Sequence, residues 1–391
     1  MKNVQKKVPS ILLMIVLVGF PQISESIFTP ALPEISRVMQ VSPQITQLTM
    51  STYFGAFAFG VLFWGWLSDR IGRRPSMLWG IGIYLIGNLG LLSAPQFPEL
   101  LMARMVQAFG ASVGSVVTQT IMREAFSGIT GAKVFAKIGA AMALAPALGP
   151  LIGGLVQTYF GYRSVFSVLV VMAISAGLYT FAALPETRVQ KTPGKVAVGA
   201  LMKRLLSDRK VWAYGILISG VNGILFSYYA EAPFVFMSHF KLTAIQYGLL
   251  GLVLAAASIL GAVTTNYGLA HFDAVRVARS GLWLALFSGV GLVFASRNDQ
   301  LILIIITIFG TFWGLNTTLP IALNLALVGY ETVIGTASGL FSFAYYWLIS
   351  LLTYGISRLH TGSILVLPIY MVSLMIIMLI AYYGGVRQNK A

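Results

Sequence analysis

The chain contains no cysteine. Disulfides, thiolate metal sites and cysteine nucleophiles are therefore excluded. Acid is scarce, with 11 Asp and Glu against 26 Lys and Arg, a net charge of +15. Charge of either sign is scarce too, at 9% of residues, where a soluble domain carries roughly a quarter. The histidines, His239, His271 and His360, show no metal-ligand spacing and read as loop and interface residues. No Gly-x4-Gly-Lys-Ser/Thr phosphate loop occurs, so this chain alone has no means of using ATP. No enzyme signature, cofactor motif or metal site is present to set against these absences.

What the chain does have is apolar length. Hydrophobic residues make up 57% of its 391 positions, and the mean hydropathy is +0.83. Lipid must solvate most of such an exterior. At about 20 residues per crossing, the length suits about twelve helices. Spans are expected at 8–32, 44–67, 75–94, 98–122, 134–157, 164–184, 211–236, 244–269, 277–296, 300–326, 332–357 and 363–384. Turn and charge clusters such as Ser42-Pro43, Pro95–Pro98 and Arg358–Gly362 separate them. Lys2, Lys6 and Lys7 precede the first apolar run as in a signal peptide, but no small-x-small cleavage site follows, so the run is expected to be retained as the first span.

The basic residues sort by side. With the N-terminus inside, only Arg37, Arg163, Lys241, Arg297 and Arg358 fall in external loops, Arg104 falls within a span, and the rest lie on the cytoplasmic side. This asymmetry puts both termini in the cytoplasm. Charges confined to membrane loops also turn the reading away from nucleic acid. The longest loop, 185–210, is basic, contains Pro193-Gly194 and falls near mid-chain. It is expected to link a six-helix half at 1–184 to another at 211–391.

Residues 65–74 read Gly-Trp-Leu-Ser-Asp-Arg-Ile-Gly-Arg-Arg, a dense charge cluster between two apolar spans. A short polar turn in that position fits a cytoplasmic hinge or latch. It resembles the loop between helices 2 and 3 of the major facilitator superfamily, Gly-x-Leu-x-Asp-Arg-x-Gly-Arg-Arg/Lys, matched at Gly65, Leu67, Asp69, Arg70, Gly72, Arg73 and Arg74. A weaker copy, Tyr267–Arg276 with Asp273 and Arg276, lies at the corresponding place in the second half. The resemblance implies an all-α membrane fold of twelve helices in two halves built from nested inverted repeats. It also implies that Arg73 pairs with Glu124, and that Asp69 sits against the start of the eleventh helix, around Gly335–Gly339, when the cytoplasmic side closes.

Charged groups inside spans are costly and mark function. Arg104, in Arg-Met-Val-Gln-Ala-Phe-Gly, resembles the family's helix-4 motif Arg-x-x-Gln-Gly-x-Gly, with Ala108 replacing a glycine. Glu25 is the acid of the first span, at a depth similar to that of Arg104. Low-dielectric surroundings favour its neutral form and a nearby Arg its carboxylate, so the two could exchange a proton as the cavity opens and closes, or stand as a permanent ion pair. The fifth span holds Pro146, Gly149, Pro150, Gly153 and Gly154. The prolines remove two backbone donors and are expected to kink the helix. The glycines allow close contact with a neighbour. Gly-Pro-x-x-Gly-Gly resembles the antiporter motif of drug-exporting members, which favours export over uptake.

Thr29-Pro30-Ala31-Leu32-Pro33, Arg123-Glu124 and Ala232-Pro233-Phe234-Val235 resemble the bicyclomycin and chloramphenicol efflux (Bcr/CflA) branch of drug:proton antiporters. That branch commonly has an aspartate four residues before the proline of its Leu-Pro-Ala-Leu-Pro. Here Ser26 stands there, and Glu25 is the acid, about 100° away around the helix. Glu231, near the outer end of the seventh span, could bind a cationic substrate or a second proton, or be a rim carboxylate. Gln22, Gln107, Tyr228, Tyr229, Glu231, Asn316 and Tyr345 are candidates to line a substrate cavity, with aromatic surface suited to planar or cationic ligands.

The reading is a monomeric inner-membrane exporter of small amphipathic compounds, driven by proton antiport with alternating access. Its partners are a small-molecule substrate, protons and the lipid bilayer, with no cofactor and no nucleic acid. A dedicated exporter or importer of a metabolite or siderophore stands as the alternative, and a non-transporting membrane sensor as a third.

Overall fold

A backbone inside a bilayer must satisfy its own N–H and C=O groups, so apolar segments of this length fold as helices. The computed structural model describes residues 8–126, 134, 137–139, 141–142, 144–188 and 198–386, and no strand occurs among them. The helices are α1 (Ile11–Ser26), α2 (Leu32–Val38), α3 (Pro43–Ile71), α4 (Arg73–Ser93), α5 (Phe97–Ala125), α6 (Ala145–Phe160), α7 (Tyr162–Ala183) and α8 (Val198–Ser207). They continue as α9 (Arg209–Pro233), α10 (Ala244–His271), α11 (Ala274–Arg297), α12 (Leu301–Leu325), α13 (Ile334–Leu359) and α14 (Val366–Ala381). Among the described residues, eleven stretches are long and apolar enough to cross a membrane, α1 and α2 counting as one. The fifth expected span, 134–157, falls partly outside the described residues, and α6 is its second part.

Local chemistry sets the boundaries. Ser42 and Thr243 cap α3 and α10, the latter through a reciprocal box with Gln246. Gly72 and Gly161 take φ of +105° and +79° at the α3–α4 and α6–α7 turns, where a side chain would be strained. The first crossing is not one rod. It breaks after Ser26, makes a 3₁₀ turn at Thr29–Ala31 and resumes as α2, because Pro30 and Pro33 withhold backbone donors. Pro146 stands beside the turn at Leu144 that interrupts the fifth span, between helical residues 141–142 and α6. It lies in the first turn of the described helix, where no intrahelical N–H is needed, and Pro150 alone is interior. The linker region also differs from a plain loop, since 185–210 contains α8. Leu201 and Leu205 of this helix pack with Tyr330 and Ala337.

The two parts of the chain meet along two seams. Helix α3 packs against α13, and α6 against α10. Helices α1, α5, α9 and α12 stand inside these pairs and, with α13, surround a central cavity. Side chains such as Trp79, Ile86, Phe181 and Phe287 are well exposed on the perimeter, where lipid tails would meet them.

Candidate functional site

The cavity holds about 890 Å³, within the range of small-molecule sites. Four of the sequence candidates line it: Gln22 on α1, Tyr229 on α9, Asn316 on α12 and Tyr345 on α13. Glu25 lines it as well and is 8% exposed. Phe57, Phe226, Phe341 and Tyr346 add ring surface, and Ser115, Gln119, Asn222 and Ser342 add neutral polar groups. Arg123 and Glu331 stand at the mouth, on the end of the bundle that carries the basic loops. There the Gly329 N–H donates to Glu331 at 2.8 Å and holds its carboxyl below the ordinary range.

Three candidates lie elsewhere. Gln107 is wholly buried behind α1, where its Nε2 donates to Asn88 Oδ1 at 2.5 Å. Tyr228 packs edge-on against Phe312, centroids 5.6 Å apart, and points away from the cavity. Glu231 is 1% exposed and sealed into the opposite end. Each was placed by its helix alone, and helix phase, which only packing fixes, turned these side chains aside.

Arg104 is also outside the cavity. Its guanidinium lies between the rings of Phe28 and Tyr53, 3.9 and 4.2 Å from their centroids. Nη1 donates to the Ser24 carbonyl at 3.2 Å and to Gln107 Oε1. Nε and Nη2 find no hydrogen-bond acceptor among the described residues. A direct ion pair with Glu25 is not among those formed by the described residues. The carbonyls at the C-terminal end of a helix lack intrahelical donors. Where α1 breaks just after Glu25, Arg104 supplies a donor. It thus anchors the segment that carries the acid, instead of pairing with the acid itself.

The break in α1 lies against the glycine motif. A Cβ on Gly149 would collide with Ser26, and one on Gly153 would collide with the Ile27 carbonyl and come within 3.4 Å of Pro30 Cδ. Gly154 faces the other way. A Cβ there would strike the backbone of Ala244 at the start of α10, and one on Gly248 of α10 would approach the Pro150 carbonyl to 2.7 Å. The motif therefore joins the acid-bearing helix on one side and the second half of the chain on the other.

At the basic end, Arg73 forks onto Glu124, Nη2 to Oε1 at 2.7 Å and Nε to Oε2 at 3.1 Å, and its Nη1 lies 2.6 Å from Asp69 Oδ1. Arg70 stacks over Trp66, and Arg74 donates to the Phe181 carbonyl at 2.7 Å. Gly65 borders Val116 of α5, where a Cβ would sit at ordinary contact distance. Glu186 was not foreseen. Its carboxylate accepts from the Arg73 and Arg74 N–H groups at 2.9 and 3.2 Å and caps α4, occupying the space a side chain on Gly72 would need. The signal was an acid placed directly after the sixth span, opposite a basic turn.

Asp69 does not meet the start of α13. Its side chain is 70% exposed, and a Cβ on Gly335 or Gly339 would find open space. In the second copy of the motif, Arg276 Nε lies 3.5 Å from Asp273. The latch between halves is therefore undone here, in keeping with a cavity open at this end.

The other end is shut. Glu231 on α9 meets His360, at the end of α13, with Oε1 and Oε2 at 2.7 and 2.9 Å from Nδ1. Gln47 on α3 donates to Glu231 Oε2 at 2.5 Å, and Gln44 to the His360 carbonyl at 3.1 Å. Ser350 donates to the Ser51 carbonyl at 2.6 Å, and Phe54 lies on Phe226 with centroids 4.1 Å apart. His360, at the start of the loop after α13, is thus part of a buried polar contact between the halves. Gln44 and Gln47 near the start of α3 were the available sign.

A family model described as Major Facilitator Superfamily matches residues 14–354. An uncharacterized transporter of Rickettsia bellii (strain RML369-C) is 31% identical over 92% of this chain and 91% of its own. A chloramphenicol resistance protein of Pseudomonas aeruginosa is 27% identical over 80% of this chain and 75% of its own. The partially occluded, inward open xylose transporter XylE from E. coli superposes with a TM-score of 0.77 over 96% of both chains, at 13% identity, a likeness of fold.

Proposed function

The chain belongs to the major facilitator superfamily and is a multi-pass membrane transporter, and from that membership we propose that it exports small amphipathic compounds, drugs among them, by proton antiport. It acts in the bacterial cytoplasmic membrane with both termini in the cytoplasm, an orientation supported by the bias of Lys and Arg to one side. The observation that carries the reading is the central cavity. A carboxyl group, Glu25, forms part of a wall of aromatic rings, aliphatic side chains and neutral polar groups, with Arg123 and Glu331 at the mouth.

Such a site takes cationic or neutral amphipathic molecules, through ring faces and hydrogen bonds, better than anions. Substrate and proton compete for the same acid. A proton arriving at Glu25 weakens the hold on a cation, and loss of that proton restores it. Arg104 keeps the broken end of α1 in place, so the carboxyl stays in the wall while its charge changes. Support for export over uptake comes from the glycine motif packed against that same break. The halves rock about the cavity between the open state described here and its opposite, with Asp69 meeting α13 in the latter.

The test is transport by the purified protein in proteoliposomes under an imposed proton gradient, against cationic, neutral and anionic fluorescent compounds. Uphill movement of cationic or neutral compounds is expected. Glu25→Gln, which mimics the protonated acid, should abolish uphill transport, weaken binding of cations and keep binding of neutral compounds within a few fold. Full gradient-driven transport by that variant would refute Glu25 as the coupling acid. A response confined to one metabolite would turn the reading to a dedicated carrier.

A further inference from the structure

We propose that Glu231 and His360, with Gln47, form a second proton-binding site, separate from Glu25, whose charge state controls opening of the closed end. The inference rests on the transporter reading for its purpose, but its geometry stands apart from the cavity. Three elements meet: Gln47 from the first half, and Glu231 and His360 from α9 and α13 of the second. Glu231 and His360 side chains are 1% and 7% exposed. With Glu231 ionised, its oxygens only accept, and the shared proton then sits on His360 Nδ1, 2.7 and 2.9 Å from the two oxygens.

With a proton on both ring nitrogens the contact is an ion pair, and a buried ion pair whose charges balance is stable only as long as both remain. The neutral parts of the cluster add little. Gln47 Oε1 is buried with no hydrogen-bond partner, and Gln47 Nε2 lies 3.2 Å from Nδ1, a donor facing a donor. Charge, not a saturated hydrogen-bond network, holds the clamp.

The direction follows. The clamp is strongest while Glu231 is ionised and His360 doubly protonated. With Glu231 ionised, loss of the imidazolium proton leaves a neutral imidazole and a carboxylate without a counter-charge in a dry contact, which water relieves only if the halves part.

No other charge on the surrounding elements takes over. On α2, Glu34 accepts from Gln157 at 3.1 Å, and Arg37 is exposed. After α9, His239 pairs with Asp299 at 2.9 Å, and Lys241 donates to the Ser238 carbonyl at 2.6 Å. On α13, Arg358 is exposed, and the neighbouring titratable group on α10 is the phenol of Tyr247. The remaining charges of α3 and α9 lie at their other ends. A proton held at this end would thus keep it shut, and its loss would open the route by which the cavity releases its cargo.

The experiment uses the full chain in lipid nanodiscs. Because the protein lacks cysteine, spin labels at Gln96→Cys and Asn298→Cys report the distance between halves at the closed end. From pH 5 to 8 the short-distance population should fall. Glu231→Gln and His360→Gln should lower the closed-to-open ratio at pH 7 by about tenfold or more and flatten its pH response. Two results would overturn the proposal: a parental pH response in both clamp variants, or an unchanged closed population in both. His360→Gln lies at a helix end and keeps the test decisive should Glu231→Gln fail to insert. No substrate enters the measurement, so its failure and a failure of drug export are read separately.

Discussion

Two adjacent glycines of α6 should fail in different ways when each gains one methyl group. At Gly154, a Cβ would sit 2.9 Å from the Ala244 carbonyl carbon and nearer still to its oxygen. Ordinary contact between such atoms is about 3.5–4.0 Å, so at least half an ångström must be found. The start of α10 has little to give, being tied by the Thr243–Gln246 capping box at 2.9 and 3.2 Å. Overpacking of this kind costs about 1–3 kcal/mol. The contact joins the two halves near the closed end, and in the proposed alternating-access cycle it would be lost when that end opens. The cost therefore falls on one state, and Gly154→Ala should shift the closed-to-open ratio by roughly five- to 150-fold.

At Gly153, the same methyl meets Ile27 and Pro30, within the first half, where the contact persists in both states. Gly153→Ala should thus lower thermal stability and leave the ratio within a few fold. The label pair at positions 96 and 298 measures the ratio, and a melting curve in detergent measures stability. An unchanged ratio in Gly154→Ala, or an equal shift in Gly153→Ala, would refute the assignment of the two glycines to different neighbours.

Two further outcomes are expected at the basic end. Asp69→Asn should slow the transport cycle while equilibrium binding stays within a few fold, since Asp69 is absent from the cavity wall; a large loss of binding with normal cycling would contradict this. Glu186→Ala should cost about 0.5–2 kcal/mol through loss of the α4 cap, seen as a lower melting temperature, and an unchanged melt would show the cap to be idle.

Much of this protein is set by one-dimensional patterns. Apolar runs of membrane length, cut by Pro43, Gly72, Gly161 and short charge clusters, determine the helices and their order, because a lipid-exposed backbone has no other way to pair itself. The Arg73–Glu124 pair was implied by the resemblance of the 65–74 loop to the major facilitator motif, and the tight face of the glycine motif by the spacing of its glycines. Even α8 carried its sign, with apolar residues at 198, 201, 202, 205 and 206 on a helical period.

What the sequence could not decide was which way each side chain turns and what lies opposite. Glu25 and Arg104 share a depth, yet packing puts one in the cavity wall and the other behind the broken end of α1. Glu231 and His360 are 129 residues apart and meet only because α9 and α13 converge with α3 at the shut end. A helix fixes spacing along its own axis, but its rotation against its neighbours is settled by shape and hydrogen bonding across the whole bundle. On that rotation depends whether an intramembrane acid faces water, a cation or another chain segment.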